Sequence, residues 1–294
     1  VIGAGLQALD KNEDSAAVKG LFYMFAVTME DFVHPIAVIE LLWRSCCASE
    51  SEKEEGSLMA RLKVRQRTQM LVDHSLLLGS SSEGIHLHDL VLQYLRKRLS
   101  AEEMRMEQTK VVEGMIAASQ ARVAETGRGF EETGSTASAC AGEEVDFYCC
   151  NVGAWHVTRA RDPSRGMVED ECLQRWCLTS DRVIVKATAL AIGCDELKSA
   201  AVHFQQEGEL AKAAKVHHAI AQGSLATRDG GGLAHEDAAI AIIEQIEGTL
   251  GDDIQQIRLD ILLSRATHVR GEEQKRINAK IEAILSSIRD CIPT

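Results

Sequence analysis

Residues 76–95 read LLLGSSSEGIHLHDLVLQYL, and this stretch decides how the first third of the chain is built. Leu76-Leu77-Leu78 and Ile85-His86-Leu87-His88 are short apolar-rich runs flanking Gly79-Ser80-Ser81-Ser82-Glu83-Gly84. Glycine and serine clustered between two such runs signal a β-hairpin. Asp89 follows as a helix cap, with Leu90, Tyr94 and Leu95 on the inward side of the next helix. Arg96-Lys97-Arg98 then end that helix with cations, which the helix dipole favours there.

Three helical segments precede the hairpin. Ser15 to about Met29 is apolar at helical spacing, with Asn12, Asp14 or Ser15 as its cap. His34-Pro35 opens a second helix, because proline suits a first helical position, and Ile36, Ile39, Leu42 and Trp43 line one face. After an acidic loop, Ser49 to Ser57 (SESEKEEGS), a third helix runs from Ser57 to about Val72. Three helices, a hairpin and a further helix make a winged-helix order.

Downstream, Thr126 to Gly142 (TGRGFEETGSTASACAG) is rich in Gly, Ser and Thr and lacks periodicity. Residues 1–125 are therefore expected to form a winged-helix domain with a trailing helix, 126–142 a linker, and 143–294 a helical domain. In that last part Leu197, Ala200, Ala201 and Phe204, then Gly208, Leu210 and Ala213, fall where tetratricopeptide-like hairpins put apolar, turn and small residues. A looser second match runs from Ile261 through Gly271 to Ile281, and Leu250 to Asp253 (LGDD) resembles a join between helices of such arrays. Thr227 to Gly232 (TRDGGG) interrupts this half. An irregular helical domain is the alternative to a repeat array.

Composition agrees with a mostly α fold. The 294 residues suffice for two domains of roughly 150 each. Aromatics make up only 4% and prolines number three, which is thin material for a β-sandwich, while 45% hydrophobic content supports a core. The net charge of −12 argues against a general nucleic-acid or anionic-membrane binder. No uncharged apolar run approaches the roughly 18 residues of a membrane span, and there is no secretory signal pattern. Nine cysteines without a CxxC pair read as reduced thiols of a cytoplasmic protein. The opening at Val1 reads as the interior of a larger polypeptide.

Catalytic signatures are missing. No GxxxxGK[ST], GxSxG or HExxH occurs, so catalysis by this chain itself is not expected. Cys172, Cys177, His203 and His217-His218 lack zinc-ligand spacing, so no metal is expected; they read as buried thiols and a surface histidine pair. Residues 57–99 hold seven Lys or Arg against three Asp or Glu. On the third helix Arg61 and Arg65 share one side, with Lys63 and Arg67 roughly 200° from Arg61. These basic residues flank a Leu58, Met59 and Leu62 stripe, a solvated basic helix more than a DNA-reading face. A winged-helix DNA-binding transcription regulator, and a helical protein scaffold without a nucleotide link, stay as alternatives.

The run Ile85-His86-Leu87-His88-Asp89-Leu90 also carries a resemblance. Leu21-Phe22, Val27, Glu30-Asp31, Pro35, Val38-Ile39-Glu40-Leu41-Leu42-Trp43 and Leu71-Val72-Asp73-His74-Ser75-Leu76-Leu77 extend it. Together they resemble the winged-helix module of the STAND signalling nucleotidases, the NB-ARC group of apoptotic-protease activators and plant disease-resistance receptors. The family's Met-His-Asp motif matches Leu87-His88-Asp89, with Leu for Met. The resemblance implies that His88 contacts the β-phosphate of ADP in a closed, inactive state and that Asp89 supports and orients it. It also implies an upstream nucleotide-binding domain that holds ADP or ATP in a full-length parent. No nucleotide is then expected to bind tightly to this chain, whose helical array would take protein partners. On the residues alone, His88 ends a strand and Asp89 is an ordinary cap.

Overall fold

The computed structural model describes residues 2–10, 14–48, 57–126, 136–162, 164–178, 194–227, 232–246, 251–266 and 270–290. The chain is mostly helical, with a single two-stranded sheet among the described residues. It divides into two compact units, Val1–Arg165 and Gly166–Thr294. Most of the acidic loop, most of the TRDGGG break, and Leu250 lie outside the described residues. Of the expected linker, 127–135 also lies outside them, while Thr126 ends one helix and 136–142 begin another within the first unit.

The first unit opens with α1 (Ile2–Leu9) and α2 (Ser15–Met24), the latter closed by a 3-10 turn, η1 (Phe25–Val27). The second helix expected from the sequence, α3 (Ile36–Cys46), starts one residue late. Pro35 has ψ 152 and is its N-cap instead of its first turn. Next come α4 (Ser57–Asp73), β1 (Leu78–Ser80), β2 (Gly84–His86) and α5 (Asp89–Arg96). The long helices α6 (Ala101–Thr126) and α7 (Thr136–Ala160) pack on each other and on α3.

The buried side of α4 differs from the expected stripe. Leu58, Met59 and Leu62 are exposed, whereas Val64, Thr68 and Leu71 face the core beside the buried stem of Arg67. Arg67 is held there by Asp14, whose carboxylate accepts from Nε at 2.6 Å, and it lies over the Trp43 ring. This pairing occupies Asp14 and leaves α2 without a side-chain cap. Arg61 and Arg65 donate through Nε to the two oxygens of Glu40, at 2.8 and 2.9 Å. Glu40 is buried on α3, so the helix rotates to bring its basic edge inward and its leucines out.

Where α6 crosses α3 the backbones approach closely at Gly114. A Cβ there would sit 1.8 Å from Ser45 Oγ and 2.9 Å from Ser45 Cβ. The hydroxyl can swing away, but Cβ is fixed to the α3 backbone. Gly114→Ala is therefore expected to cost about 1–3 kcal/mol through overpacking, more than the ~1 kcal/mol gained in helix propensity. Urea unfolding checks this: adding Ser45→Gly to Gly114→Ala should recover stability, and an additive double variant would refute the close crossing.

The second unit is built from helical hairpins. Asp170 caps α8 (Glu171–Cys177) by accepting from the Leu173 N–H at 3.0 Å, and Trp176 is fully buried. α9 (Cys194–Gln206) and α10 (Leu210–Thr227) form the first hairpin. Leu197, Ala200, Ala201, Phe204 and Ala213 are all buried in it. Gly208 takes φ 76 at the turn, while the Glu209 and Gly208 amides bond Phe204 O and Gln205 O. That is a Schellman closure, for which a left-handed glycine is favoured. α11 (Gly232–Ile243) packs on α10 across its alanines. α12 (Asp252–Ala266) and α13 (Glu272–Asp290) enclose Leu259, Leu262, Ile277, Ile281 and Ile284. Among the described residues no helix is long and apolar enough to cross a membrane.

Candidate functional site

The hairpin delivers His88 to the start of α5. Leu78 pairs with His86, Gly79 with Ile85 and Ser80 with Gly84. The segment before α3 adds one antiparallel bridge, with His34 N–H donating to Ile85 O at 2.7 Å and Ile85 N–H to His34 O at 2.9 Å. Three residues beyond Ile85, His88 is extended at ψ 139 and serves as the N-cap of α5. Its Nδ1 accepts from the Leu90 N–H at 3.2 Å. The cap expected at Asp89 is thus one residue earlier, and Asp89 lies in the first turn, where its charge meets the positive end of the helix. Leu95 faces inward as expected, but Leu90 is 67% exposed and Tyr94 only half-buried, and Leu92 is the second inward residue. Leu90 follows the cap so closely that it sits on the outer face with His88 and Asp89.

This cap has a chemical consequence. With Nδ1 accepting, the proton of a neutral His88 ring is on Nε2, the nitrogen away from the cap. An exposed imidazole then presents an N–H donor to solvent beside a helix N-terminus.

The far end of α5 is equally anchored. Arg96 donates to Thr28 O at 2.7 Å and to Ala26 O at 3.4 Å, and its guanidinium lies 3.6 Å from the Glu30 carboxylate. These bonds satisfy carbonyls left open at the end of η1. The helix carrying His88 is therefore held at one end by the sheet and at the other by Arg96.

Beneath it runs a buried polar chain. Gln108 Nε2 donates to Val27 O at 3.0 Å, so its Oε1 accepts from His156 Nδ1 at 2.6 Å. His156 Nε2 is left to accept the Tyr148 hydroxyl, also at 2.6 Å. The network thus assigns the neutral tautomer of His156. Burial, with smaller contributions from His34 and Arg159, pushes the His156 pKa down to about 3. Burial likewise lowers His34 to about 4, opposed by a backbone hydrogen bond to Met29 and aided by His86. Phe32, Tyr148 and Phe25 surround the His34 ring at centroid distances of 5.1, 5.8 and 6.4 Å. No sequence motif joins residues 34, 108, 148 and 156, which lie on separate segments brought together by packing.

No family model matches the chain, and neither a curated protein nor a solved structure matches it. The functional reading accordingly rests on the residues themselves.

Elsewhere the expected surface pair His217-His218 separates. His218 is fully buried, because α10 is covered on two sides, while His217 is half-buried and meets His235 of α11. The side chains of Cys172 and Cys177 lie outside the described residues. Among the described residues no three His, Cys, Asp or Glu converge as a metal set.

Proposed function

We propose that the first unit is the winged-helix module of a STAND-type nucleotide switch, and that His88 is its phosphate-sensing residue. One observation carries the reading: the Leu90 cap fixes Nδ1 as acceptor and leaves Nε2–H as an exposed donor at a helix N-terminus. A terminal phosphate of ADP presents the complementary acceptor oxygens. The order α2, α3, α4, hairpin, α5, with an isolated bridge from His34 to Ile85 beside the hairpin, supports the winged-helix assignment. Asp89 is the orienting residue, placing negative charge in the first turn. In this reading an upstream nucleotide-binding domain supplies the other contacts to ADP or ATP. The helical hairpins of the second unit take protein partners, and the switch works in the cytoplasm. The DNA-binding alternative is weaker because Arg61 and Arg65 are engaged by Glu40.

Magnitudes set what this chain does alone. One charge-assisted hydrogen bond contributes about 1.5–3 kcal/mol, against about 8 kcal/mol for micromolar binding. Calorimetry of the chain with ADP is expected to give no micromolar signal; a micromolar, magnesium-independent isotherm would contradict the proposal. In the parent carrying its nucleotide domain, His88→Ala should speed release of a fluorescent ADP by about 10–100-fold. His88→Asn keeps a capping oxygen but withdraws the donor from the imidazole Nε2 position, which separates loss of that contact from fraying of α5. Unchanged release in both variants sinks the sensor assignment and favours a plain scaffold.

A further inference from the structure

Two imidazoles meet between α10 and α11. His217 Nδ1 and His235 Nδ1 are 3.1 Å apart, with ring centroids 5.3 Å apart and planes inclined at 30°. The two residues stand eighteen apart in sequence, each on a helix that packs along the other. Like nitrogens facing each other need something between them. In the neutral pair one Nδ1 carries the hydrogen and the other accepts it. When both rings hold the proton on Nε2, the two lone pairs face each other across 3.1 Å, and a tilt of each ring turns them onto one point, as in a bidentate ligand.

Metal geometry fits that separation. Zinc–imidazole bonds of about 2.0–2.1 Å at a tetrahedral angle place two nitrogens about 3.4 Å apart. An opening of a few tenths of an ångström, with a tilt of both rings, converts the hydrogen-bonded pair into a chelate. We propose that His217 and His235 form a two-histidine site for a divalent transition ion of the zinc and copper class, which clamps α10 to α11. Imidazole nitrogens select such ions over magnesium and calcium, which prefer oxygen.

Partial burial of both rings holds them in place between α10 and α11. Among the described residues no third His, Cys, Asp or Glu completes a set of three. The site is distinct from the Cys172, Cys177, His203 and His217-His218 set, whose spacing argued against a metal. Both ligands lie in the second unit, so the proposal stands apart from the nucleotide reading.

The test uses the whole chain, stripped of metal, with zinc alone as the probe. Nitrogen-15 NMR of the histidine rings should show Nδ1 of His217 and His235 shifting together on zinc addition, and the unfolding temperature should rise. Magnesium should do neither. His217→Ala and His235→Asn should each weaken zinc binding at these rings by more than about tenfold, since either change removes the chelate. His235→Asn, near the start of α11, keeps the test informative if His217→Ala disturbs α10. The proposal is overturned if zinc leaves both Nδ1 signals unmoved. It is equally overturned if zinc binding persists unchanged in both variants, the pattern of an ion held by cysteine thiols elsewhere.

Discussion

Lowering the pH from 7 to 4 is expected to remove about 6 kcal/mol from the stability of the first unit, enough to unfold an ordinary domain. The cause is the pair of buried neutral imidazoles, His34 at about 4 and His156 at about 3. An unfolded histidine takes up its proton near pH 6.5. The folded rings refuse it until the pH has fallen about 2.5 units further for His34 and about 3.5 for His156, because each proton would be buried without water. The unfolded chain therefore binds more protons throughout that window, and stability falls as pH falls. Both contributions are fully present above pH 6.5 and are lost progressively towards pH 4 and pH 3. Each ring accounts for about 3 kcal/mol at pH 4.

Urea unfolding, read by exchange protection of peptides from α3 and α6, measures this directly once the intrinsic pH dependence of exchange is removed. Carboxylates elsewhere also titrate in this window, so a variant isolates the histidine term. His34 sits among Phe25, Phe32 and Tyr148, and its Nδ1 is buried without a hydrogen-bond partner. His34→Phe is expected to reduce the acid-induced loss by about half, the share of one ring of the two. If the urea midpoint is the same at pH 7 and pH 4, or His34→Phe leaves the slope intact, the rings are not held neutral.

What the sequence disclosed, and what it hid, follows from the range of the interactions. The hairpin was legible because Gly79 and Gly84 punctuate it locally. The α9–α10 hairpin was legible because Leu197, Ala201, Phe204 and Ala213 repeat at helical spacing around Gly208. The α4 face was misread for a long-range reason. Its leucines look like a core stripe until Glu40, twenty-one residues before Arg61, draws the arginines inward. The cap moved from Asp89 to His88 because carboxylate preference at N-caps is a tendency, while the strand pairing set by His34 fixes where the chain leaves extended geometry. The chain from Val27 to Tyr148 spans three separate elements, η1, α6 and α7. The His217–His235 pair was hidden for the same reason, since helix packing alone brings those positions together.

The hairpin that carries His88 should be far less tolerant of a methyl group at its glycine than the helical turn of the second unit. Gly79 and Gly208 both have positive φ, 100 and 76. A Cβ at Gly208 meets nothing within 4 Å, so Gly208→Ala is expected to cost only the left-handed penalty, about 1–2 kcal/mol. A Cβ at Gly79 would lie 2.1 Å from the carbonyl oxygen of Gly84. That oxygen is backbone, and its strand is pinned by Ile85 bonding to His34, so relief requires the two strands to part. Adding overpacking of about 1–3 kcal/mol brings the expected cost of Gly79→Ala to roughly 2–5 kcal/mol. Three strand pairs cannot absorb that loss, so the hairpin should open before the helices unfold. Histidine-ring NMR should then show His88 losing its capped tautomer, while urea unfolding reports the larger loss. Equal costs at the two glycines would mean that the close approach of Gly79 to Gly84, and with it the rigid placement of His88, is absent in solution.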